Sequence, residues 1–454
     1  MASKTSETAR AKGKAPLEEA PAQTGGLDRF FALTEAGSSV STELRAGLAT
    51  FLTMAYIMFV NPAILEKAGM DHGAVFVATC LAAAAGSAIM GLYANYPIAL
   101  APGMGLNAYF AFTVVPELGG NWQLALALVF ASGVLFFALS LSPLRAWLID
   151  AIPMSFKLGI AAGIGFFLAL IGLQNAGIVA DQPVTLVTLG DLSKPQASLA
   201  AAGFLVIAAL AVRKVPGAII IGVLAVTIAA AALGLEPWRG IAASPPSLAP
   251  TFLKLDLAGL AHLSLVTIVL TLLLVTILDT TGTLIGVARQ AGLLDEEGRL
   301  PRLRQALLAD SGSAMLGALF GTSTTTAYIE SAAGVEEGGR TGLAAVAVAV
   351  LFLLSLFLAP LAESVPAYAT APALLFVAFL MAASLGALRF DDPTDYIPAL
   401  LIALLMPLIY SIATGIGLGF IAYVALKGLT GRLRDINAAV AVIALAFLLK
   451  LAFA

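Results

Sequence analysis

The sequence is poor in charged residues, in cysteine and in histidine. Only 11% of its 454 residues are Asp, Glu, Lys or Arg, against about 25% in ordinary soluble domains, and this excludes a typical soluble protein. The single cysteine, Cys80, excludes an intramolecular disulfide and argues against a thiolate metal site. The two histidines, His72 and His262, fall near predicted loops. We expect both to be solvated, and neither to act as a metal ligand or proton relay.

Apolar residues dominate the remainder of the chain. They make up 60% of it, and the mean hydropathy is +0.98. Apolar runs of about 15–25 residues recur to the C-terminus, so the sequence predicts an all-α polytopic membrane protein. Residues 1–26 are instead polar and lack the apolar segment of a signal peptide, so we expect a disordered cytoplasmic tail. The expected location is the plasma membrane, or the inner membrane in a bacterium.

Fourteen segments can cross a membrane as one helix or as two shorter pieces. The first is expected to end at Asn61-Pro62, because proline restricts the residue before it and interrupts helical hydrogen bonding. A further apolar segment, 438–451, either crosses or lies flat. The predicted spans are 44–61, 74–93, 96–115, 122–141, 152–173, 199–212, 217–235, 265–289, 304–320, 320–342, 341–361, 372–388, 396–410 and 414–427.

The third segment reads YPIALAPGMGLNAYFAFTVV and is interrupted. Residues 96–100 favour an extended strand, and Pro102 suits the first position of a helix that continues to the segment's end. Gly103 and Gly105 would let another backbone or a ligand approach closely, and Asn107 lies about one turn into the helix. Strand and half-helix together would cross the membrane, with free N–H groups near the midplane. A kinked continuous helix is the alternative.

The tenth segment, FGTSTTTAYIESAAGVEEGGRTG, repeats this arrangement and carries a carboxylate. Residues 322–326 favour an extended piece because four of the five are β-branched, whereas residues 327–335 favour a helix. Nonhelical backbone at membrane depth is tolerated where it is buried in protein or lines a cavity. The unpaired Glu330 is therefore a candidate binding residue.

The fourteen segments divide into two halves of seven, and the interrupted segment is the third of each half. Similar stretches, FLVIAALAVRKVPGAIIIGVLAVTI and LIALLMPLIYSIATGIGLGFIAYVAL, end the two halves. An odd number of spans per half gives the halves opposite orientations, as in the inverted repeats of secondary transporters. With a cytoplasmic N-terminus, 19 of the 24 Lys and Arg residues lie inside and four outside, Lys450 being unassigned. This distribution satisfies the positive-inside rule.

Asp279 lies in the interior of the eighth segment, LSLVTIVLTLLLVTILDTTGTLIGVARQ. The spacing of Thr276, Asp279, Thr283 and Gly286 places small and polar residues on one helix face. We interpret Asp279 as functional because burying a carboxylate in a membrane costs about 3 kcal/mol or more. The alternative is that this face serves only to pack α-helices against each other. Asp310, early in the ninth segment, could cap its helix or take part in the site.

Five stretches together resemble one family. They are LRAGLATFLTMAYIMFVNPAIL, ALAPGMGLNAYF, LDTTGTLIGVA, GTSTTTAYIESAAGV and MPLIYSIATGIGLGFIAY. These stretches resemble the AzgA-like purine permeases, proton-coupled carriers of adenine, guanine and hypoxanthine in the nucleobase–ascorbate/nucleobase–cation symporter group. The resemblance implies a UraA-type fold with a 7+7 inverted repeat. It also implies a core domain (27–142 and 241–362) and a gate domain (143–240 and 363–434). The resemblance does not extend to residues 435–454, which form an extra apolar segment at the C-terminus.

The resemblance also implies a binding site. Asp279 and Glu330 match the family's carboxylate positions in the eighth and tenth spans, and Asn107 matches a position in the third. We expect both carboxylates to couple proton binding to transport, since burial in a medium of low dielectric constant favours the protonated acid. The residues expected to bind substrate are Glu330, Asp279, Asn107, Thr326, Thr283 and Gly105.

The expected substrate suits these groups. A neutral purine has N–H donors that a carboxylate can accept, and ring nitrogens that Asn, Thr or backbone N–H groups can serve. The expected partners are the purine nucleobase, the proton and the lipid bilayer, with a homodimer as one possible assembly. No nucleic acid, cofactor or metal is expected.

Two alternatives stay open at this point. The same fold could carry or exchange another solute, either another nucleobase or a small anion, because fold does not fix the substrate. Helix N-termini alone can bind an anion. A different class of protein, an intramembrane aspartyl hydrolase, would use Asp279 with a second acid.

Overall fold

The computed structural model describes residues 25–142, 152–261, 265–296 and 299–453. Most of the predicted tail 1–26 lies outside these residues, as does His262. The described part of the chain is predominantly helical. It contains nine segments that are long and apolar enough to cross a membrane, and three shorter apolar helices. The protein is therefore a multi-pass helical membrane protein.

The helices and strands of the described residues follow the apolar runs of the sequence. They are α1 (Gly26–Phe31), α2 (Val40–Met54), α3 (Ile57–Glu66), α4 (His72–Ile89), β1 (Leu100–Pro102), α5 (Met104–Tyr109), α6 (Val115–Glu117), α7 (Trp122–Leu141), α8 (Met154–Asn175), β2 (Val179–Gln182), β3 (Leu186–Leu189), α9 (Pro195–Val212), α10 (Ala218–Ala232), α11 (Val266–Gln290), α12 (Leu303–Phe320), β4 (Thr325–Ala327), α13 (Ser331–Glu336), α14 (Gly342–Ser355), α15 (Ala359–Glu363), α16 (Ala367–Ala382), α17 (Pro393–Leu408), α18 (Ile412–Leu429) and α19 (Ala438–Phe453).

The first span continues past Asn61-Pro62, so the predicted end was wrong. α2 and α3 follow each other with a short break at Ala55 and Tyr56, and α3 continues to Glu66 with the proline inside it. A proline inside a helix removes one hydrogen bond and bends the helix, and packing against neighbouring helices tolerates that loss. The chain interrupts its helix before the proline, where the next N–H groups bond three residues back.

The two interrupted segments meet as an antiparallel strand pair. β1 aligns with β4 so that Leu100 lies opposite Ala327 and Pro102 opposite Thr325. On either side the pairing is extended, from Tyr328 N to Ala99 O at 3.0 Å and from Gly103 N to Thr324 O at 2.9 Å. A short helix follows each strand, as predicted. The pairing thus brings the beginnings of α5 and α13, far apart in sequence, to one place.

The predicted boundaries inside these segments were partly wrong. Pro102 belongs to β1 and α5 begins at Met104, while Ala327 belongs to β4 and α13 begins at Ser331. Strand pairing between distant residues here overrides local helix preference, which a single segment's composition cannot reveal. The Pro102 carbonyl also accepts a hydrogen bond from the Tyr328 hydroxyl at 2.5 Å.

Contacts between helices divide the described residues into two groups. In the first group α2, α4, α7, α11, α12, α13 and α14 pack together, and in the second α8, α9, α10, α16, α17 and α18 do so. Glycines allow close approach within each group. A Cβ atom on Gly133 would lie 2.8 Å from Met315 Cγ between α7 and α12, and one on Gly159 would lie 2.5 Å from Ala399 O between α8 and α17.

A charged cluster joins the beginning of α17 to the end of α18. Lys427 Nζ lies 2.9 Å from Asp395 Oδ1, and Arg432 Nη1 lies 2.6 Å from Asp392 Oδ2. Hydrogen bonds from Thr394 and then Arg432 hold the pKa of Asp392 well below its usual range. Asp392 also caps α17 by accepting a hydrogen bond from the Thr394 N–H. The cluster therefore ties one end of α17 to the end of α18.

Candidate functional site

Glu330 lies between β4 and α13, next to the break in the first span. Its Oε1 accepts a hydrogen bond from the Tyr56 hydroxyl at 2.7 Å, and its backbone carbonyl oxygen is 3.3 Å from the Thr53 hydroxyl. Tyr56 is buried at the break between α2 and α3, so this break points the hydroxyl at the carboxylate. Glu330 itself is only half-buried. The tyrosine fixes one carboxylate oxygen and leaves the group capable of accepting further donors.

Asp279 and Asp310 are joined through two threonine hydroxyls. Thr280 Oγ1 donates to Asp310 Oδ2 at 2.6 Å and lies 3.0 Å from Thr326 Oγ1. Thr326 Oγ1 in turn lies 3.4 Å from Asp279 Oδ2. Asp310 is fully buried and Asp279 half-buried. This hydrogen-bonded chain, Asp279–Thr326–Thr280–Asp310, links α11, β4 and α12.

Asn107 lies on α5 with its amide turned towards the residues that precede β4. Its Oδ1 accepts a hydrogen bond from the Ser323 hydroxyl. Its Nδ2 is buried and has no hydrogen-bond partner among the described residues. A serine hydroxyl can donate or accept, so either amide orientation leaves one polar atom of Asn107 available to a ligand. A buried, unpaired polar atom is costly unless something binds it.

A second asparagine holds the backbone near the site. The amide nitrogen of Asn61 donates to Thr79 Oγ1 at 2.7 Å and to Thr322 Oγ1 at 2.8 Å. All three residues are buried. This contact fixes the start of the Ser/Thr run against α3 and α4, and so positions β4.

Two residues expected to bind substrate have other surroundings. A Cβ atom on Gly105 would collide with the side chain of Ile164 on α8, so this glycine brings α5 close to the second helix group. Thr283 is buried on α11, one turn beyond Asp279, and within the described residues it forms no hydrogen bond with Asp279, Thr280 or Thr326. Contact of either residue with substrate stays a prediction.

Three polar residues of the site were not singled out from the sequence. Tyr56, Thr280 and Ser323 contact Glu330, Asp310 and Asn107 respectively. Each lies in a stretch that carries the family resemblance, and Thr280 is the neighbour of Asp279. That adjacency was the available signal, but the contacts themselves depend on tertiary structure.

The charges of the site are negative. Within the described residues, Glu330, Asp279 and Asp310 form no ion pair with Lys or Arg. Asp279 interacts electrostatically with both Glu330 and Asp310. Binding of a proton to one carboxylate removes the repulsion between like charges in one site. The site can therefore accept hydrogen-bond donors from a neutral ligand and can hold a proton.

This fold is that of a known class of membrane transporters. The structure is similar to that of the transmembrane domain of a cyanobacterial bicarbonate transporter, BicA, with a TM-score of 0.63 and 18% sequence identity, covering 82% of this chain and 96% of that chain. At this level of identity the likeness shows the fold alone. It agrees with the UraA-type fold expected from the sequence.

The chain belongs to the permease family, and residues 41–418 match the family's Xan_ur_permease profile. The adenine permease AdeP of Escherichia coli is 48% identical over 429 residues, which cover 94% of this chain and 96% of AdeP. The guanine/hypoxanthine permease PbuO of Bacillus subtilis is 47% identical over 431 residues, which cover 93% of this chain and 99% of PbuO. These matches confirm the resemblance to purine permeases. The family consists of permeases and not of enzymes, which argues against the intramembrane hydrolase.

Proposed function

We propose that the protein imports neutral purine nucleobases, adenine, guanine or hypoxanthine, together with protons. One observation carries this proposal. Pairing of β1 with β4 brings Asn107, with its unpaired buried amide atom, near the strand that leads to the half-buried carboxylate of Glu330. A flat ligand with both donors and acceptors on its edges matches this combination. The substrates named for AdeP and PbuO are of this kind.

Glu330 binds the donor edge of the purine in this proposal. A carboxylate accepts two adjacent N–H donors through charge-assisted bonds, which are stronger than bonds between neutral groups. The Tyr56 hydroxyl holds Glu330 Oε1 in position before the purine binds. The Glu330 side chain therefore loses less conformational entropy on binding. Asn107 and the hydroxyl of Thr326 serve ring nitrogens or exocyclic acceptors.

The coupling proton is held by Asp279 and can pass to Asp310. The two hydroxyls between them, Thr326 and Thr280, each donate and accept, so a proton can be relayed along the chain. Thr326 links this chain to the strand that precedes Glu330. A change in substrate contact at β4 would therefore alter the hydrogen bonding of Asp279, which is a physical route for coupling.

The proposed architecture has fourteen spans in two inverted halves, with a cytoplasmic N-terminus in the plasma membrane. The nine long segments, the shorter α10 and α17, α12, and the two strand-and-helix segments supply the spans. The two groups of packed helices support a core (27–142 and 241–362) and a gate (143–240 and 363–434). In alternating access one group moves against the other around the site. A homodimer stays a prediction.

Transport of a small anion is the second candidate, because BicA is a bicarbonate transporter with the same fold. An anion would have to approach Glu330, Asp279 and Asp310, which have no basic partner among the described residues. Placing an anion 4 Å from one ionised carboxylate costs about 4 kcal/mol of electrostatic repulsion at an effective dielectric constant of 20. The charges of the site therefore favour the neutral purine.

Uptake into proteoliposomes tests the proposal directly. Labelled adenine, guanine, hypoxanthine, uracil and bicarbonate would each be offered with and without an inward proton gradient. We expect a purine to accumulate, and accumulation to disappear when the gradient is collapsed. Glu336→Gln, which changes an exposed carboxylate at the end of the short helix that follows Glu330, is the matched control for Glu330→Gln. Gradient-independent bicarbonate uptake without purine uptake would refute the proposal.

A further inference from the structure

The C-terminal helix α19 has two apolar faces. Val440, Ala444 and Phe447 are buried against the protein, whereas Val442 and Leu445 on another face are 66% and 55% exposed. α19 also lies beyond residues 41–418, which match the family. A helix that is apolar on its exposed face as well as its buried one fits a lipid environment and not the membrane surface.

We propose that α19 crosses the membrane as an additional span, antiparallel to α18, and that its far end bears against the core. The packing against α18 gives the direction. A Cβ atom on Gly417 would lie 2.5 Å from Cδ1 of Phe447, so the ring rests directly on this glycine. Gly417 is about 18 Å from the end of α18 and Phe447 about 14 Å from the beginning of α19, at 1.5 Å per residue. The two helices therefore run side by side in opposite directions.

The middle of α19 lies beside α11, and its far end contacts the end of α6, both in the proposed core. Lys450 Nζ lies 3.7 Å from Glu117 Oε2 at the end of α6. A cavity between the helices is lined by residues from the first third of α11 and from the middle of α19, among them Thr267, Leu270, Leu273, Leu274, Ile443 and Phe447. The near end of α19 follows Arg432, which belongs to the charged cluster at the end of α18. The 16 residues of α19 form a helix about 24 Å long. This helix extends from the charged cluster at the end of α18 to Glu117 at the end of α6.

The contacts of α19 with the two helix groups differ in strength. α19 is joined to α18 by a short connection and by the close Phe447–Gly417 contact. Towards the core it makes a half-exposed ion pair and borders a cavity. Such an ion pair contributes about 0–1 kcal/mol and is readily broken. This part of the inference rests on the proposed function: α19 moves with the gate, and its far end slides along the core during transport.

A topology experiment tests the crossing. In a Cys80→Ala background, one protein carries Arg432→Cys and another carries a cysteine appended after residue 454 through a short Gly-Ser linker. A membrane-impermeant maleimide applied from outside intact cells should label the appended cysteine and leave position 432 unlabelled until the membrane is opened. Labelling of both positions from the same side would overturn the crossing.

A cross-linking experiment tests the sliding contact. Glu117→Cys and Lys450→Cys, combined in the same background, should be joined by a bis-methanethiosulfonate reagent that spans the space left by the two long side chains. Purine uptake should then fall at least tenfold and recover when reductant cleaves the link. Each single-cysteine variant, treated alike, should keep its uptake. No cross-link would overturn the placement of α19, and full uptake in the cross-linked protein would overturn the sliding. A wild-type protein that carries no purine would refute the proposed function alone, because labelling and cross-linking do not depend on the substrate.

Discussion

At the scale of single residues, the site combines a positioned carboxylate with an unpaired amide. Tyr56 fixes Glu330 from the first span, and Ser323 fixes Asn107 from the run before β4. Neither partner is a charged group, so the carboxylate keeps its capacity to bind donors from a ligand. The contribution of individual polar atoms to purine binding can be measured with single substitutions.

Glu330→Gln should weaken purine binding strongly. The substitution replaces one acceptor oxygen with a donor amide, which would face a purine N–H. Losing a charge-assisted bond and creating this mismatch should cost about 2–4 kcal/mol, or roughly 30- to 1000-fold in affinity. Asn107→Ala, which removes a neutral partner, should cost about 1–2 kcal/mol. Isothermal titration calorimetry of the purified protein measures both.

A methylated purine identifies the contact made by Glu330. Methylation of the N–H that Glu330 accepts should lower affinity in the wild type but produce little further loss in Glu330→Gln, and the four affinities form a double-mutant cycle. Glu336→Gln should behave as the wild type does. An equal methyl penalty in the wild type and Glu330→Gln would mean that Glu330 does not touch that edge of the purine.

Tyr56→Phe should weaken purine binding modestly without loss of the fold. It removes the hydroxyl that holds Glu330 Oε1, which should cost about 1 kcal/mol, roughly fivefold in affinity. Tyr96→Phe is the matched control, because the Tyr96 hydroxyl is equally buried but bonds the backbone N–H of Arg302. Titration calorimetry should find altered affinity only in Tyr56→Phe. The same loss in both variants would remove any special role of the Tyr56–Glu330 bond.

At the scale of secondary-structure elements, α13 is held against α2 by a glycine. A Cβ atom on Gly334 would lie 2.5 Å from the Ala46 carbonyl oxygen and would also collide with Thr50. Because backbone cannot move aside as a side chain can, Gly334→Ala should push α13 away from α2. Overpacking of this kind costs about 1–3 kcal/mol. We expect a lower Tm in detergent and weaker purine binding, since α13 directly follows Glu330.

Gly312→Ala provides the comparison for Gly334→Ala. Gly312 lies inside α12, and a Cβ atom there would meet nothing within 4 Å. Alanine is favoured over glycine in a helix by about 1 kcal/mol, so this variant should keep or raise Tm and bind purine normally. Equal Tm values for the two variants would show that the contact between α13 and α2 is not close.

Much of the element order could be predicted from the sequence, because apolar runs of sufficient length have few alternatives in a membrane. The fourth predicted span coincides with α7, Trp122–Leu141. Helix ends could not be predicted where contacts between residues far apart in the sequence determine them. Pro102 joins β1 because β4 lies beside it, and Pro62 stays inside α3 because the chain breaks earlier, at Tyr56.

The residue types of the site could be predicted, but their partners could not. A lone carboxylate in an apolar run made Glu330 and Asp279 candidates from the sequence alone, and their role in binding stays a prediction. The bonds of Tyr56 to Glu330 and of Thr280 to Asp310 join residues 274 and 30 positions apart, and no periodicity within one segment indicates them. Gly105 is a similar case, since its close neighbour Ile164 belongs to the other helix group.

At the scale of the whole molecule, the two helix groups meet at the site. α3 and α5, which pack beside the first group, contact α16 and α8 of the second, and α11 also contacts α8. The helix of the first interrupted segment and the helix that carries Asp279 therefore lie at this boundary. A movement of one group against the other would expose the half-buried carboxylates of Glu330 and Asp279 to one side of the membrane and then the other. In the proposed mechanism, substrate and proton would then cross the membrane during the same movement.

Current measurement on a solid-supported membrane tests this joint crossing of purine and proton. Proteoliposomes receive adenine with equal pH on both sides, so that any charge must move with the neutral purine. The wild type should give a transient inward positive current that saturates with adenine concentration. Asp279→Asn, which cannot exchange a proton at that position, should bind adenine and give no current. Uptake of labelled adenine by the wild type without any current would contradict proton coupling, and a full current in Asp279→Asn would place the coupling proton on Glu330 or Asp310 instead.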